Sequence, residues 1–368
     1  MGKKTFNGEQ LDKAIKLLPK GKPQMDAFLD AIRQADAAKD PYWRLMFRCS
    51  YCYEATFRDD PPKAIPVAAE FCSLFDECSE AFRERSMEGA AQMHLMIMQM
   101  GIDPIVFLPQ ISMRQWETMM EEFYRWVKHY NMGLRTYWWK MTRYWQYVDR
   151  EKAYEYFQRF WKTGRDGLSD CRACERSYAV QIQLLMGNRE EADIYAKPME
   201  QGRIRFCNDT PQLYWLAYLE YALDHGDMRE AGKRANALCR KGNRDKSDLS
   251  YIGAILRCWA DTDLERALPL FEKRLEWSIG MWDQKKVYDF DKGACVLFRR
   301  LAGCRQAVSL DLPQDFPVWR EDGNYQTEEL ADWFQSQAQD IGQRFDKRNG
   351  SRYFEQDLAR ALRQIKVQ

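Results

Sequence analysis

Asn188-Arg-Glu-Glu-Ala192 and Asp227-Met-Arg-Glu-Ala231 are two copies of the short motif that decides the fold of this chain. The same pattern, a turn residue followed four positions later by alanine, occurs from Asp149 to Ala153 and from Asp263 to Ala267. The four alanines are 39, 39 and 36 residues apart, and a regular period of this size is typical of stacked helix pairs. Residues 134–277 therefore predict a series of helical hairpins, and Asp60-Pro-Pro-Lys-Ala64 indicates one more.

Each motif contains the residues that a bend between two helices needs. Asp or Asn is a favourable N-cap because its side-chain oxygen accepts a backbone N–H of the first helical turn. Gly187 and Gly226 precede two of the copies, at the position where a helix often ends in the left-handed conformation. Alanine is small, so that helices of neighbouring repeats can approach one another. We expect each hairpin to have a helix A before the motif and a helix B after it.

The pattern Gly-(Asp/Asn)-x-x-x-Ala resembles the central turn of tetratricopeptide (TPR) repeats. Val148 and Thr262 replace the glycine in two copies, and the period is longer than the 34 residues usual in that family. The resemblance implies an all-α fold, an α-solenoid of antiparallel helix hairpins (a TPR-like superhelix) with atypical N- and C-terminal capping helices. It divides the chain, without a sharp boundary, into a divergent helical region at 1–111, TPR-like repeats at 112–277 and capping helices at 278–368.

Composition limits the class of protein. The 368 residues include 56 Lys and Arg against 55 Asp and Glu, and this balance argues against a dedicated nucleic-acid binder, which usually has a strong basic excess. No apolar run approaches the roughly 18 residues of a membrane span, and the N-terminus lacks the apolar core of a signal peptide. Eleven scattered cysteines favour reduced thiols over a disulfide framework. We therefore expect a cytoplasmic protein that does not contact membranes.

One face of the A helices is the candidate partner-binding surface. In TPR proteins this face lines a concave groove that holds a peptide, so the resemblance implies a protein or peptide ligand here. Aligned on their turns, the repeats bring aromatic and polar residues to this face, and aromatic residues with arginine are common in binding hot spots. Packing between A helices explains the same residues and is slightly favoured. The predicted partner-binding residues are Arg135, Trp139, Thr142, Arg143, Gln146, Tyr178, Gln181, Glu220 and Tyr221.

Three cysteines form a candidate metal site. Cys171 and Cys174 form a Cys-x-x-Cys pair at the predicted start of an A helix, and Cys207 follows 36 residues after Cys171, also before an A helix. Adjacent repeats would bring the three thiols together, which is the beginning of a structural zinc site that normally has four ligands. Asp170 or Asp209 could supply the fourth, and reduced structural thiols at a repeat junction are the favoured interpretation. This Asp-Cys-x-x-Cys segment is similar to bacterial TPR-like proteins of unassigned role.

The sequence leaves three functions open. The first is a TPR-like scaffold or regulatory adaptor that binds a peptide in its groove. The second is a helical-repeat enzyme or effector with an acid/base site. It is less favoured because there is no Gly-x-Ser-x-Gly elbow, phosphate-binding glycine loop or His-Glu-x-x-His motif, and it predicts clustered carboxylates or histidine in a deep pocket. The third is nucleic-acid binding by residues 125–150, where aromatic and basic residues alternate.

Overall fold

The computed structural model describes residues 6–86 and 89–363, apart from the side chain of Ser86, and over this part the chain is almost entirely helical. It forms two compact units, Met1–Lys140 with Phe160–Ser169 and Met141–Arg159 with Asp170–Gln368, called here the N-terminal and C-terminal units. The predicted three-part division rests on repeat periodicity, and these two units neither coincide with it nor test it. In the described part of the chain, no helix combines the length and apolar character that a membrane crossing requires.

The N-terminal unit is built from helix hairpins around an aromatic core. Pro41 stands at the first position of α3, and Asp40 accepts the backbone N–H groups of Tyr42 and Trp43. Ser112 and Gln115 cap α6 reciprocally. Phe47, Phe71, Phe75 and Phe82 are among the fully buried core residues. The helices that begin in this unit are α1 Gly8–Lys16, α2 Lys22–Ala38, α3 Pro41–Arg58, α4 Ala64–Ser86, α5 Ala90–Ile102, α6 Met113–Tyr130 and α7 Leu134–Trp145.

The C-terminal unit contains most of the repeated hairpins and the closing helices. Residues 134–277 contain no strand, and the strands described in this unit are the short antiparallel pair β1 and β2, with Val308 opposite Tyr325. The elements of the unit, with α7 and α8 shared between the units, are α8 Arg150–Lys162, α9 Arg172–Leu185, α10 Arg189–Glu200, α11 Gln212–Asp224, α12 Met228–Lys241, α13 Leu249–Thr262, α14 Leu264–Arg274, α15 Gln284–Ala302, β1 Ala307–Ser309, β2 Asn324–Gln326, α16 Thr327–Asn349 and α17 Tyr353–Arg363.

All four motifs lie at bends between consecutive helices. Asp149, Asp227 and Asp263 each accept a backbone N–H three residues on, at 3.1, 3.0 and 3.3 Å. Asn188 makes no such bond, and its amide instead donates to Gln183 Oε1 at 3.0 Å. Every repeat alanine is fully buried: Ala153, Ala192, Ala231 and Ala267. The motif thus marks both the turn and a buried position near the start of the helix that follows.

The hairpins of the C-terminal unit pack in chain order. Helix α9 contacts its hairpin partner α10 and the next A helix α11; α11 contacts α12 and α13, and α13 contacts α14 and α15. A close approach joins Gly253 in α13 to Gly293 in α15, where each helix backbone lies against the other. Consecutive helices of the set α9, α11, α13 and α15 are therefore in contact.

The last helix returns to the beginning of this unit. The hydroxyl of Ser351 donates to the carbonyl of Tyr147 at 3.2 Å, and the ring of Tyr147 stacks on Phe354 with a centroid distance of 5.7 Å. Tyr288 in α15 donates its hydroxyl to the Phe354 carbonyl at 2.8 Å. Helix α17 consequently lies beside the turn after α7 as well as beside α15 and α16.

Candidate functional site

Two of the predicted partner-binding residues are internal to the N-terminal unit. Arg135 is buried, and its guanidinium donates to the carbonyls of Phe160 and Thr163 at the end of α8 while lying over the Phe160 ring. Trp139 is 8% exposed and packs on the same ring, with centroids 5.7 Å apart. The polar and aromatic groups of both residues are therefore occupied by contacts within this unit.

The predicted residues at the end of α7 connect it to α9. Thr142 is fully buried. Gln146 donates its amide N–H to the carbonyl of Arg143 at 2.9 Å and accepts one from Gln181 at 3.0 Å. The hydroxyl of Tyr178 donates to Asp170 at 3.0 Å, and burial raises the pKa of this tyrosine well above its usual value. Tyr178 therefore stabilises the segment before α9 through its hydrogen bond to Asp170.

A polar pocket of about 470 Å³ lies inside the C-terminal unit and is here called the inner pocket. Four predicted residues line it, namely Gln146, Gln181, Glu220 and Tyr221. The remaining polar lining comes from the α7–α8 turn and from α11, α13, α15 and α17. Those further residues are Tyr147, Arg150, Asp224, His225, Arg257, Lys285, Lys292, Tyr353, Asp357 and Arg360.

Most charges around the inner pocket are paired. Asp224 pairs with Arg257 at 2.7 Å and with Arg360 at 3.0 Å. Asp357 pairs with Lys292 at 2.6 Å. Although burial opposes its ionisation, the neighbouring Lys292 holds the pKa of the Asp357 carboxyl well below its usual range. With Glu220, Arg150 and the Lys285–Asp289 pair at 2.7 Å, the cluster has four acidic and five basic side chains.

Glu220 differs from the other acids of this cluster. Within the part of the chain that the structure describes, its carboxyl makes no hydrogen bond or ion pair, although it lines the pocket. Burial raises the pKa of Glu220, and the nearby charges of Lys292 and Lys285 partly oppose that rise. Glu220 is partly exposed, and its carboxylate can accept hydrogen bonds from a molecule in the pocket, so Glu220 is a group that a ligand could pair with.

The sequence prediction did not include the pocket residues from α15 and α17. When the repeats are aligned on their turns, Arg257 is at the position equivalent to Tyr221. The alignment therefore contained a signal for Arg257. Lys285, Asp289 and Lys292 are charges at helical spacing in α15, which was a further usable signal. Asp357 and Arg360 had none, because the position of α17 follows from no repeat periodicity.

The three predicted metal-site cysteines lie together. The sulfur atoms of Cys171, Cys174 and Cys207 are all within 4.8 Å of one another, and those of Cys174 and Cys207 are 3.2 Å apart. Among the residues that the structure describes, this group contains no fourth Cys, His, Asp or Glu ligand. The Asp170 carboxyl is engaged by Tyr178. The spacing of one repeat between Cys171 and Cys207 therefore corresponds to true proximity.

Three basic residues of the segment 125–150 have intramolecular partners. Arg135 and Lys140 are both buried, and the Lys140 ammonium pairs with Asp103. Arg125 is exposed but pairs with Glu122. Nucleic-acid binding by this segment stays a prediction.

Comparison of the chain with protein-family models, with curated proteins and with solved structures found no match. The resemblance to TPR repeats stays a prediction. What can be inferred about function consequently rests on the geometry and chemistry of the inner pocket and of the three thiols.

Proposed function

We propose that this chain is a helical-repeat binding protein, in which the hairpins of α9–α15 form a TPR-like α-solenoid and the inner pocket binds a short polar segment of a partner protein. The packing of α9, α11, α13 and α15 in chain order supports the solenoid arrangement. The buried alanine at the start of every B helix supports it as well, because the same contact recurs at each repeat.

The ligand is short because α17 covers part of the face that the A helices share. Tyr353, Asp357 and Arg360 of α17 line the pocket together with Glu220 of α11. A volume of about 470 Å³ lies within the roughly 300–1,000 Å³ of small-molecule sites. It suits a chain end or one or two side chains of a partner, whereas an extended peptide across all the A helices would collide with α17.

The charges favour a ligand with at most a small negative charge. Four acids of the cluster offset four of its bases and Arg150 leaves one positive charge, so a phosphate-rich ligand would gain little net attraction. Arg150 stands exposed at the pocket rim and makes no ion pair within the described residues. A carboxylate beside Arg150 and a hydrogen-bond donor to Glu220 would satisfy both unpaired groups. A peptide C-terminus, which has a carboxylate next to amide N–H donors, combines the two.

The unpaired carboxyl of Glu220 is the observation on which this proposal depends, so the experiment removes it. Arrays of short peptides with free or amidated C-termini are probed with the full-length protein, and peptides that bind are titrated by fluorescence anisotropy. Glu220→Gln and Arg150→Ala are each expected to weaken binding by about tenfold or more, because a hydrogen bond to a charged group contributes about 1.5–3 kcal/mol. Amidation should weaken binding in wild type but not in Arg150→Ala.

Matched controls come from the outer helices of the same unit. Glu190→Gln in α10 and Arg229→Ala in α12 remove the same charges from exposed positions and should leave affinity unchanged. Peptide binding that is insensitive to Glu220→Gln and Arg150→Ala, or an array on which no peptide binds, would refute the proposal.

A second candidate function is an enzyme with an acid/base site in the same pocket. It is favoured by one observation, the clustering of Glu220, Asp224 and Asp357 with two lysines in one pocket, which is close to what that hypothesis predicts. A carboxyl whose pKa is raised by burial suits a general acid or base. Incubation of a metabolite extract with wild type or Glu220→Gln, followed by mass spectrometry, separates the two functions. A compound consumed only by wild type indicates an enzyme, and unchanged extracts support the binding protein.

A further inference from the structure

Two separate elements bring the sulfur atoms of the thiol cluster together. Cys171 is the N-cap of α9, and Cys174 lies in the first turn of the same helix. Cys207 belongs to the connector between α10 and α11, where its backbone N–H donates to the Thr210 hydroxyl at 2.8 Å. The cluster therefore joins two consecutive hairpins, and its geometry is determined by a helix start on one side and a hydrogen-bonded turn on the other.

We propose that Cys171, Cys174 and Cys207 bind one thiophilic divalent cation, of which Zn²⁺ is the first candidate, with three protein ligands and a fourth position open to solvent. A tetrahedral zinc site with Zn–S distances of about 2.3 Å has its sulfurs about 3.8 Å apart. The observed separations, 3.2 Å for one pair and at most 4.8 Å for the others, bracket that value, so small side-chain rotations suffice.

Hydrogen bonds around the sulfurs favour the thiolate form that a metal requires. The backbone N–H of Cys174 donates to Cys171 Sγ at 3.3 Å, and the hydroxyl of Thr210 donates to Cys207 Sγ at 3.5 Å. Such outer contacts orient metal ligands and tune their basicity.

A bound divalent ion would supply the positive charge that three converging thiolates need, because a metal deprotonates a coordinating thiol.

The open fourth position follows from exposure. Cys171 is exposed and Cys207 is partly exposed, and the described residues add no fourth ligand to the group. Water or a ligand from solution would complete the coordination. The ion would tie the start of α9 to the connector before α11 and so hold two neighbouring repeats in register.

The experiment uses the full-length protein, reduced with a non-thiol reductant, stripped with a chelator and titrated with Zn²⁺ and separately with Cd²⁺. We expect one equivalent of either metal to remain after gel filtration, and Cd²⁺ to produce the ultraviolet thiolate charge-transfer band. Cys171→Ser and Cys207→Ser should weaken Zn²⁺ binding at least tenfold. Thr210→Val, which removes a hydrogen bond but no ligand, should weaken it by about 10–100-fold.

Cys304→Ser is the matched control, because Cys304 is an exposed cysteine of the same unit outside the cluster. The Cys304→Ser protein should bind Zn²⁺ with the same affinity as wild type. Circular dichroism of each variant verifies that it is folded, and the exposed position of Cys171 makes Cys171→Ser the decisive variant if the others lose structure. The proposal is overturned if reduced wild type retains no metal. It is equally overturned if Cys171→Ser binds Zn²⁺ with unchanged affinity.

Discussion

Replacing Gly253 with alanine is expected to destabilise the C-terminal unit, although alanine is the better helix former. A Cβ atom at Gly253 would lie 2.2 Å from the carbonyl oxygen of Asp289 and 2.9 Å from the Cα of Phe290. At Gly293 the corresponding atom would lie 2.1 Å from the carbonyl oxygen of Gly253. These are contacts with the backbone, so no side-chain rotation can relieve them and α13 must move away from α15.

The magnitude follows from two opposing terms. Separating the helices by roughly 1 Å disrupts a close-packed interface, and overpacking of this kind costs about 3 kcal/mol at the upper end of the usual range. Against this, alanine in place of glycine favours a helix interior by about 1 kcal/mol. We therefore expect Gly253→Ala to lower the free energy of unfolding by about 2 kcal/mol.

Gly232 provides a control of opposite sign. It lies within α12, and a Cβ added there would meet no atom within 4 Å. Only the helix-propensity term applies, so Gly232→Ala should raise the free energy of unfolding by about 0.5–1 kcal/mol. The two variants make the same chemical change. The difference between their free energies of unfolding therefore reports the contact of α13 with α15.

Urea unfolding followed by circular dichroism measures both free energies, and hydrogen exchange with mass spectrometry localises the change. Gly253→Ala should show a lower unfolding midpoint and faster exchange in α13 and α15, while Gly232→Ala should show a higher midpoint. A Gly253→Ala variant that is as stable as wild type or more stable, with unchanged exchange in these helices, would contradict the close approach of the two backbones.

The remaining predictions concern the N-terminal unit. Burial, reinforced by the charge of His129, lowers the pKa of His94 to about 3, so the unfolded chain takes up a proton below pH 6.5 that the folded unit does not. Stability should then fall by about 1.4 kcal/mol per pH unit from about pH 6.5 toward pH 3. His94→Phe should flatten this dependence in thermal unfolding, and an unchanged slope would exclude His94 as its source. Arg135→Met should destabilise the unit by about 1–3 kcal/mol because the carbonyls at the end of α8 lose their donor, whereas peptide affinity should not change. A loss of peptide affinity in the folded Arg135→Met variant would indicate that Arg135 contributes to peptide binding.

Local sequence signals predicted much of the secondary structure, because a turn and its caps lie within a few consecutive residues. Asn188 and Asp227 stand at the predicted bends, and Gly187 and Gly226 have the positive φ angles, 79° and 74°, that a helix end of this kind needs. The β1–β2 pair was not predicted, because three-residue strands separated by a long connector leave little periodicity in a sequence.

The candidate site was predicted only in part. The repeat alignment pointed to Gln146, Gln181, Glu220 and Tyr221, since equivalent positions of neighbouring A helices share a face. It also pointed to Arg135, whose side chain is used inside its own unit instead. A repeat column predicts which positions are equivalent, but not which of them turn toward a pocket and which cap a neighbouring helix.

By itself the sequence determined that the chain is helical, where its repeated hairpins bend, and that three cysteines one repeat apart would meet. These properties depend on caps, small residues and spacing, which are local or recur at a regular interval. Only the tertiary structure decided that α17 lies on the inner pocket, through Lys292 with Asp357 and through Ser351 with Tyr147. Those contacts join residues 65 and 204 positions apart, and at such separations the packing of the whole unit selects the partners.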